Sequence, residues 1–152
     1  YNKQMNNPII ESVAKALLVN PKNEALILTL GEHKQRPEKS YKPDLPGGLV
    51  DPGENEHEAV IREVAEETGI LVQHGALKMV YSRTEFFKDE NKSVTKHLFI
   101  ANVPADIDVT LSWEHSDYKW VPLESLQNTK LRSFYDEAIG YCISNNLISA
   151  TP

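Results

Sequence analysis

Glu63, Glu66 and Glu67 are spaced so that a helix would gather them. At about 100° per residue they fall within roughly 100° of one another on one face, beside an apolar arc of Val60, Ile61 and Val64. Like charges at these spacings cost an isolated helix about 0.2–0.5 kcal/mol per pair. A hard divalent cation with oxygen ligands offsets that cost directly. Glutamates with Mg²⁺ or Mn²⁺ near a glycine-rich turn suit attack by water on a phosphoanhydride: the metal activates the nucleophile, holds nonbridging oxygens and stabilises the departing phosphate. An anionic substrate would otherwise be repelled by an anionic helix face, so the cation is needed on electrostatic grounds too. A Glu-rich run taken alone is more often a solvated helix face, and only the wider spacing separates the two readings.

The elements that must position the trio are a loop and the helix after it. Pro52-Gly53 is turn chemistry, and Asp51, Glu54 and Glu56 place negative charge where a helix N-terminus favours it. Glu56 to Thr68 runs without Gly or Pro, and Gly69 predicts the C-cap. Upstream, the paired Gly47-Gly48 lets the backbone approach a ligand closely.

Gly48, Glu54, Arg62, Glu63, Val64, Glu66, Glu67, Gly69 and Ile70 match G-x5-E-x7-R-E-U-x-E-E-x-G-U, with U a bulky aliphatic, at every specified position. Seven fixed letters at ~7% usage and two aliphatic positions at ~30% give a chance match on the order of 10⁻⁹ per window, which removes the solvated-face reading. The stretch Gly48 to Ile70 resembles the Nudix box, and the chain is similar to the Nudix hydrolases, MutT-like members among them. The resemblance implies an α/β protein of the Nudix fold, an α/β/α sandwich with a mixed β-sheet. It also implies Glu63, Glu66 and Glu67 as ligands of Mg²⁺ or Mn²⁺, with the Gly47 carbonyl contributing. Glu114, in a Glu-His segment before Trp120-Val121, resembles the glutamate that returns to the metal site as a further ligand or base. The base is then Glu63 or Glu114. Arg62 is expected to pair with Glu54 and brace the loop, because a guanidinium fork fits a carboxylate.

The whole chain bounds these expectations. At 152 residues, 40% hydrophobic and 25% charged, it has the make-up of one soluble domain spanning 1–152, with a core of about 11–147. Residues 1–8, which begin at Tyr rather than Met, are expected to be a flexible or appended leader. The net charge of −6 resides wholly between Gly48 and Ile70, where seven acids meet one base. Acidity so localised argues against polymeric nucleic acid as a partner. No apolar run is long enough for a membrane span, and the lone Cys142 suits a reducing, cytoplasmic setting and a buried apolar role. Monomer and homodimer both stay open.

Ser12–Val19 is expected as a buried strand with Ala25–Leu30 as its hairpin partner. Gly31–Asp44 is an aperiodic loop whose Arg36, Lys39 and Tyr41 are candidates for holding phosphate or stacking on a ring. A half-buried strand over 76–83 and another over 93–103 predict a second hairpin. Phe86 between them is a candidate to stack on a nucleobase, with edge packing beside Phe87 as the alternative. Trp120 suits the core and Trp113 a substrate contact, while His115 suits a hydrogen-bonding neighbour. A short strand over 118–121, a helical turn over 123–126 and a closing helix over 133–145 complete the order.

The substrate implied is a small nucleoside diphosphate-linked molecule. Many ADP-ribose enzymes of the family carry a proline shortly past the box and many dinucleoside polyphosphatases a tyrosine nearby. Here that neighbourhood reads Glu85-Phe86-Phe87 and carries neither signature, and a compact single domain resembles the MutT-like nucleoside triphosphate pyrophosphatases, which rank first. ADP-ribose, sugar nucleotides and dinucleoside polyphosphates are the alternatives. A non-catalytic ligand-binding module is a further class, disfavoured by the complete box. An isopentenyl diphosphate isomerase needs a catalytic cysteine, and Cys142 in the late helix does not suit one.

Overall fold

The computed structural model describes residues 7–148, so all but the last two positions of the expected leader lie outside the described residues. The central strand, β1 (Ile9–Val19), pairs in parallel with β6 (Lys92–Asn102) along its whole length. Beyond β6 lies the edge strand β5 (Lys78–Phe87), antiparallel, with an irregularity between Met79 and Tyr81. On its other side β1 pairs with the short β4 (Gly47–Leu49). The strand β2 (Glu24–Leu30) pairs with β7 (His115–Pro122) and with the two-residue β3 (Pro43–Asp44). The sheet is therefore mixed.

This corrects the first expected hairpin. Only Val19 and Ala25 pair between β1 and β2, and β1 begins at Ile9 rather than at Ser12. Both strands are apolar on both faces, so each needs neighbours on two edges, and distant strands supply them. Odd residues of β1 such as Leu17 and Val19 face one core, with Ile27 and Leu98; even residues such as Ala14, Ala16 and Leu18 face the other, with Leu26 and Phe99. The second hairpin forms, lengthened at its turn so that Phe86 and Phe87 belong to β5 and shortened at its open end, where β5 begins at Lys78 and β6 ends at Asn102.

A helix covers each face, which makes the α/β/α sandwich. The box helix α1 (Glu56–Thr68) begins where the Asn55 side chain accepts the Glu58 N–H at 2.9 Å, a cap worth about 1 kcal/mol. It ends at Gly69, in the left-handed conformation. Ala59, Val60 and Val64 are fully buried against the even face of β1, each valine contributing about 1.5–3 kcal/mol of apolar burial. The closing helix α2 (Ser133–Ser144) sets Phe134, Tyr135, Ala138, Ile139 and Cys142 against the odd face. Trp120 is partly buried against the α1-side core. No helix among the described residues is long and apolar enough to cross a membrane.

Candidate active site

Strand β4 brings the glycine turn under α1. Lys15, Ala14 and Val13 of β1 stand opposite Gly47, Gly48 and Leu49. Gly47 has φ +133, and a Cβ there would lie 2.2 Å from the Ala14 carbonyl oxygen, so only glycine fits. At Gly48 a Cβ would lie 2.7 Å from the carboxyl carbon of Glu63, whose carboxylate fills that space. One helical turn on, Glu67 accepts the Gly47 N–H at 3.1 Å. Glu63 and Glu67 thus converge on the same turn.

The trio shares a face but not an environment. Glu66 is exposed, Glu63 is partly covered, and Glu67 is only 4% exposed. Burial pushes the Glu67 carboxyl up to about 7, although the Lys15 ammonium and the Gly47 N–H favour its charged form. Arg62 is the hub of the others. Its Nε and Nη2 donate to the Glu54 carboxylate at 3.1 and 2.6 Å, and its Nη1 to Glu63 at 2.9 Å and Glu66 at 3.4 Å. Nη2 also donates to the Leu49 carbonyl at 3.1 Å, which fastens the turn to the helix. These bonds, the Glu54 pair foremost, raise the guanidinium pKa further and hold the Glu54 carboxyl below its usual range.

Behind the turn lies a buried polar cluster that sequence reasoning missed. Lys15 Nζ donates to both oxygens of Asp44 at 3.2 Å and to the Leu45 carbonyl at 3.0 Å. His115 Nε2 and the Tyr135 hydroxyl stand 3.5 and 3.4 Å from the same carboxylate. Burial opposes the ammonium of Lys15, but Tyr135, Asp44 and Glu67 outweigh it and raise its pKa. Asp44, in spite of its burial, is lowered to about 2, chiefly by Lys15. The available signal was a single lysine inside the apolar run Val13 to Val19.

The other expected residues are distributed differently. Glu114 lies on the turn before β7, where its carbonyl accepts the Gly31 N–H at 2.9 Å. With Trp113, which is 91% exposed, and with Lys39 and Arg132, it lines a cavity of about 320 Å³. Lys39 therefore reaches the cavity, whereas Arg36 and Tyr41 are exposed on the same loop and do not line it. Phe86 sits on the edge strand opposite Ser93, 59% exposed and apart from the cavity. The structure does not bring it to the other candidates, because a cross-strand position at the sheet edge fixes where it projects.

Among the described residues no three Asp, Glu, His or Cys side chains stand close enough to hold a metal ion as placed. Arg62 engages Glu63 and Glu66, Glu67 turns to the Gly47 amide, and Glu114 lines a cavity that none of those three glutamates borders. The donor set nonetheless fits a hard divalent cation. Its side chains offer oxygen only, and the raised Glu67 carboxyl is a buried acid whose ionisation a nearby cation would favour.

A mixed sheet between two helices, with a carboxylate-bearing helix over a glycine turn, defines the class of protein. The NUDIX domain model matches residues 11–141, and the chain belongs to this family. The crystal structure of the MutT protein from Methanosarcina mazei is 30% identical, covers 93% of this chain and 98% of its own, and superposes with a TM-score of 0.77. A Bacillus subtilis protein, provisionally named an 8-oxo-dGTP diphosphatase, is 39% identical over 57% of this chain and 58% of its own. The asymmetrical bis(5'-nucleosyl)-tetraphosphatase of Caenorhabditis elegans is 37% identical over 52% and 57%. The match thus spans a little over half the length of these curated relatives.

Proposed function

We propose that the protein is a metal-dependent hydrolase that cuts a phosphoanhydride bond in a nucleoside diphosphate-linked substrate, with nucleoside triphosphates as the preferred class. The observation that carries this reading is the convergence of Glu63 and Glu67 on the Gly47-Gly48 turn. Mg²⁺ or Mn²⁺ held there by Glu63, Glu66, Glu67 and the Gly47 carbonyl would polarise the phosphoryl oxygens and lower the pKa of water. Arg62 keeps the turn and the helix in register through Glu54 and the Leu49 carbonyl. Of the two candidate bases, Glu63 is engaged by Arg62, whereas the Glu114 carboxylate makes no hydrogen bond or ion pair among the described residues. Glu114 is therefore the group that takes the proton from the attacking water. Trp113 beside it offers a ring face to the base of the substrate.

The tetraphosphatase relative supports a second reading, a dinucleoside polyphosphate as substrate. Phosphate and pyrophosphate release with Mg²⁺ and Mn²⁺, measured on dNTPs, oxidised dGTP, ADP-ribose, diadenosine polyphosphates and sugar nucleotides, tests both. Glu67→Gln should abolish release with the fold intact, and Glu114→Gln should lower kcat by about 10²–10⁴. Near-wild-type turnover by Glu67→Gln across that panel would refute the proposal.

A further inference from the structure

The stretch that carries Glu114 is fastened to the box helix by its backbone. The last carbonyls of a helix lack partners within it, and here those of Thr68 and Glu67 accept the Thr110 N–H at 2.8 Å and the Ser112 N–H at 3.2 Å. Glu67, the buried acid of the trio, is thus one main-chain bond away from the turn 112–115. That turn closes where the His115 N–H donates to the Ser112 carbonyl at 3.3 Å. Trp113 and Glu114 are its two central residues, and both are exposed. From outside, the Gly31 N–H donates to the Glu114 carbonyl at 2.9 Å, and Leu30 pairs with His115 next to an irregularity in the ladder of β2 and β7.

The end residues of the turn face inward. His115 is 5% exposed, and its Nδ1 and the Ser112 Oγ are buried with no hydrogen-bond partner. No other buried side-chain nitrogen or oxygen among the described residues lacks one. A buried polar atom left alone is costly, and two in one turn call for a joint explanation. Their chemistry is complementary. His115 Nε2 stands 3.5 Å from Asp44 Oδ2, and the Asp44 carboxylate, paired with the Lys15 ammonium at 3.2 Å, can only accept. The proton of the neutral ring is thereby assigned to Nε2, which leaves Nδ1 an acceptor. The Ser112 hydroxyl is a donor, on a residue whose Cα lies within about 7 Å of that of His115 across the turn.

We infer that Asp44, His115 and Ser112 form one hydrogen-bonded chain, in which Nε2–H donates to Asp44 and Nδ1 accepts the Ser112 hydroxyl, and that His115 is through it a positioning residue for Glu114. The hydroxyl reaches Nδ1 by rotation about the one side-chain torsion of serine. The inference rests on the hydrolase reading, with Glu114 as the group that takes the proton from water, and deepens it. Main-chain bonds place the turn at the end of the box helix, and the buried chain fixes its tilt against the Lys15–Asp44 cluster. On that tilt depends the separation between the Glu114 carboxylate and Glu67.

The test has a spectroscopic arm and a kinetic arm, the first on metal-free protein without substrate. In long-range ¹H–¹⁵N spectra the His115 ring signals are those lost in His115→Gln. The wild type should carry its proton on Nε2, with Nδ1 displaced from the position of an unbonded imine nitrogen. Ser112→Ala should return Nδ1 to that position and leave Nε2 in place. With Mg²⁺ and the best substrate of the release panel, Ser112→Ala should lower kcat by about tenfold to a hundredfold and leave KM within about twofold. Ser112→Thr, which keeps the hydroxyl, should restore most of it. His115→Gln keeps a donor toward Asp44 but no acceptor in place of Nδ1, so it should match Ser112→Ala, and the double variant should lose no more than about twofold beyond either. A proton on Nδ1, an Nδ1 signal indifferent to Ser112→Ala, or losses that multiply in the double variant would overturn the inference. If no substrate is hydrolysed by the wild type, the hydrolase reading fails while the spectra still decide whether the chain exists.

Discussion

Lys15→Met gives the sharpest test of the buried cluster beneath the glycine turn. The substitution keeps the length of the side chain but leaves the Asp44 carboxylate, 6% exposed, with only the more distant Tyr135 hydroxyl and His115 ring. Breaking a buried pair by removing one partner costs about 3–5 kcal/mol. For a chain of this size each kcal/mol moves Tm by about 2–4 °C, so the expected fall is about 6–20 °C. Lys15→Met/Asp44→Leu should regain most of it, because the stranded charge is gone. Acid titration adds an independent readout. The folded Asp44 carboxyl lies near 2 against an ordinary 3.8, so its contribution, about 2 kcal/mol, is complete above pH 4 and lost as pH falls through 2. Stability should therefore drop across that window in the wild type and less steeply in Lys15→Met. Calorimetry of the metal-free protein at pH 7 and from pH 5 to 2 measures both. A Tm loss under about 2 °C in Lys15→Met, or a double variant less stable than the single one, would refute the argument.

The paired glycines should separate cleanly. Gly47→Ala meets backbone atoms and a φ of +133, so it should lower Tm by more than about 10 °C, whereas Gly48→Ala meets only the flexible end of Glu63 and should fold with reduced turnover. Differential scanning fluorimetry beside the release assay reads both, and matching Tm values for the two variants would contradict the contacts. Arg62→Ala should lower both activity and Tm, the latter corresponding to about 1–3 kcal/mol; lost activity with unchanged stability would argue against bracing. Trp113→Ala should raise KM for dGTP with little change in Tm, since the ring is almost wholly exposed.

The box helix was legible to the residue, because its run free of Gly and Pro, its apolar period and the Gly69 that ends it are local signals. The closing helix and the second hairpin were legible for the same reason. Strand partnership was not: the run Val13 to Val19 declares a buried strand, but nothing nearby states that its neighbour is Lys92–Asn102. At the site the same limit applies. The spacing of the trio placed Glu63 and Glu67 on one face, yet the depth of Glu67 follows from how β4 docks beneath α1, which depends on β1. Lys15 and Asp44 are 29 residues apart, and their contact is a product of the sheet. Arg132, from the link ahead of α2, was invisible until folding brought it against Lys39 and Glu114.

The parallel pairing of β1 with β6 also sets a schedule for synthesis. Ile9 and Lys92 are partners across 83 positions of sequence, so at about 5–20 residues per second a ribosome needs about 4–17 s to supply the second strand after the first. Throughout that interval the most apolar strand of the molecule lacks its longest neighbour, and β4, which shares β1, has only half a platform. The nascent chain is therefore at its most vulnerable to aggregation before residue 102 emerges, and a chaperone that shelters the N-terminal strand would raise the yield of folded protein more than one acting on the finished chain.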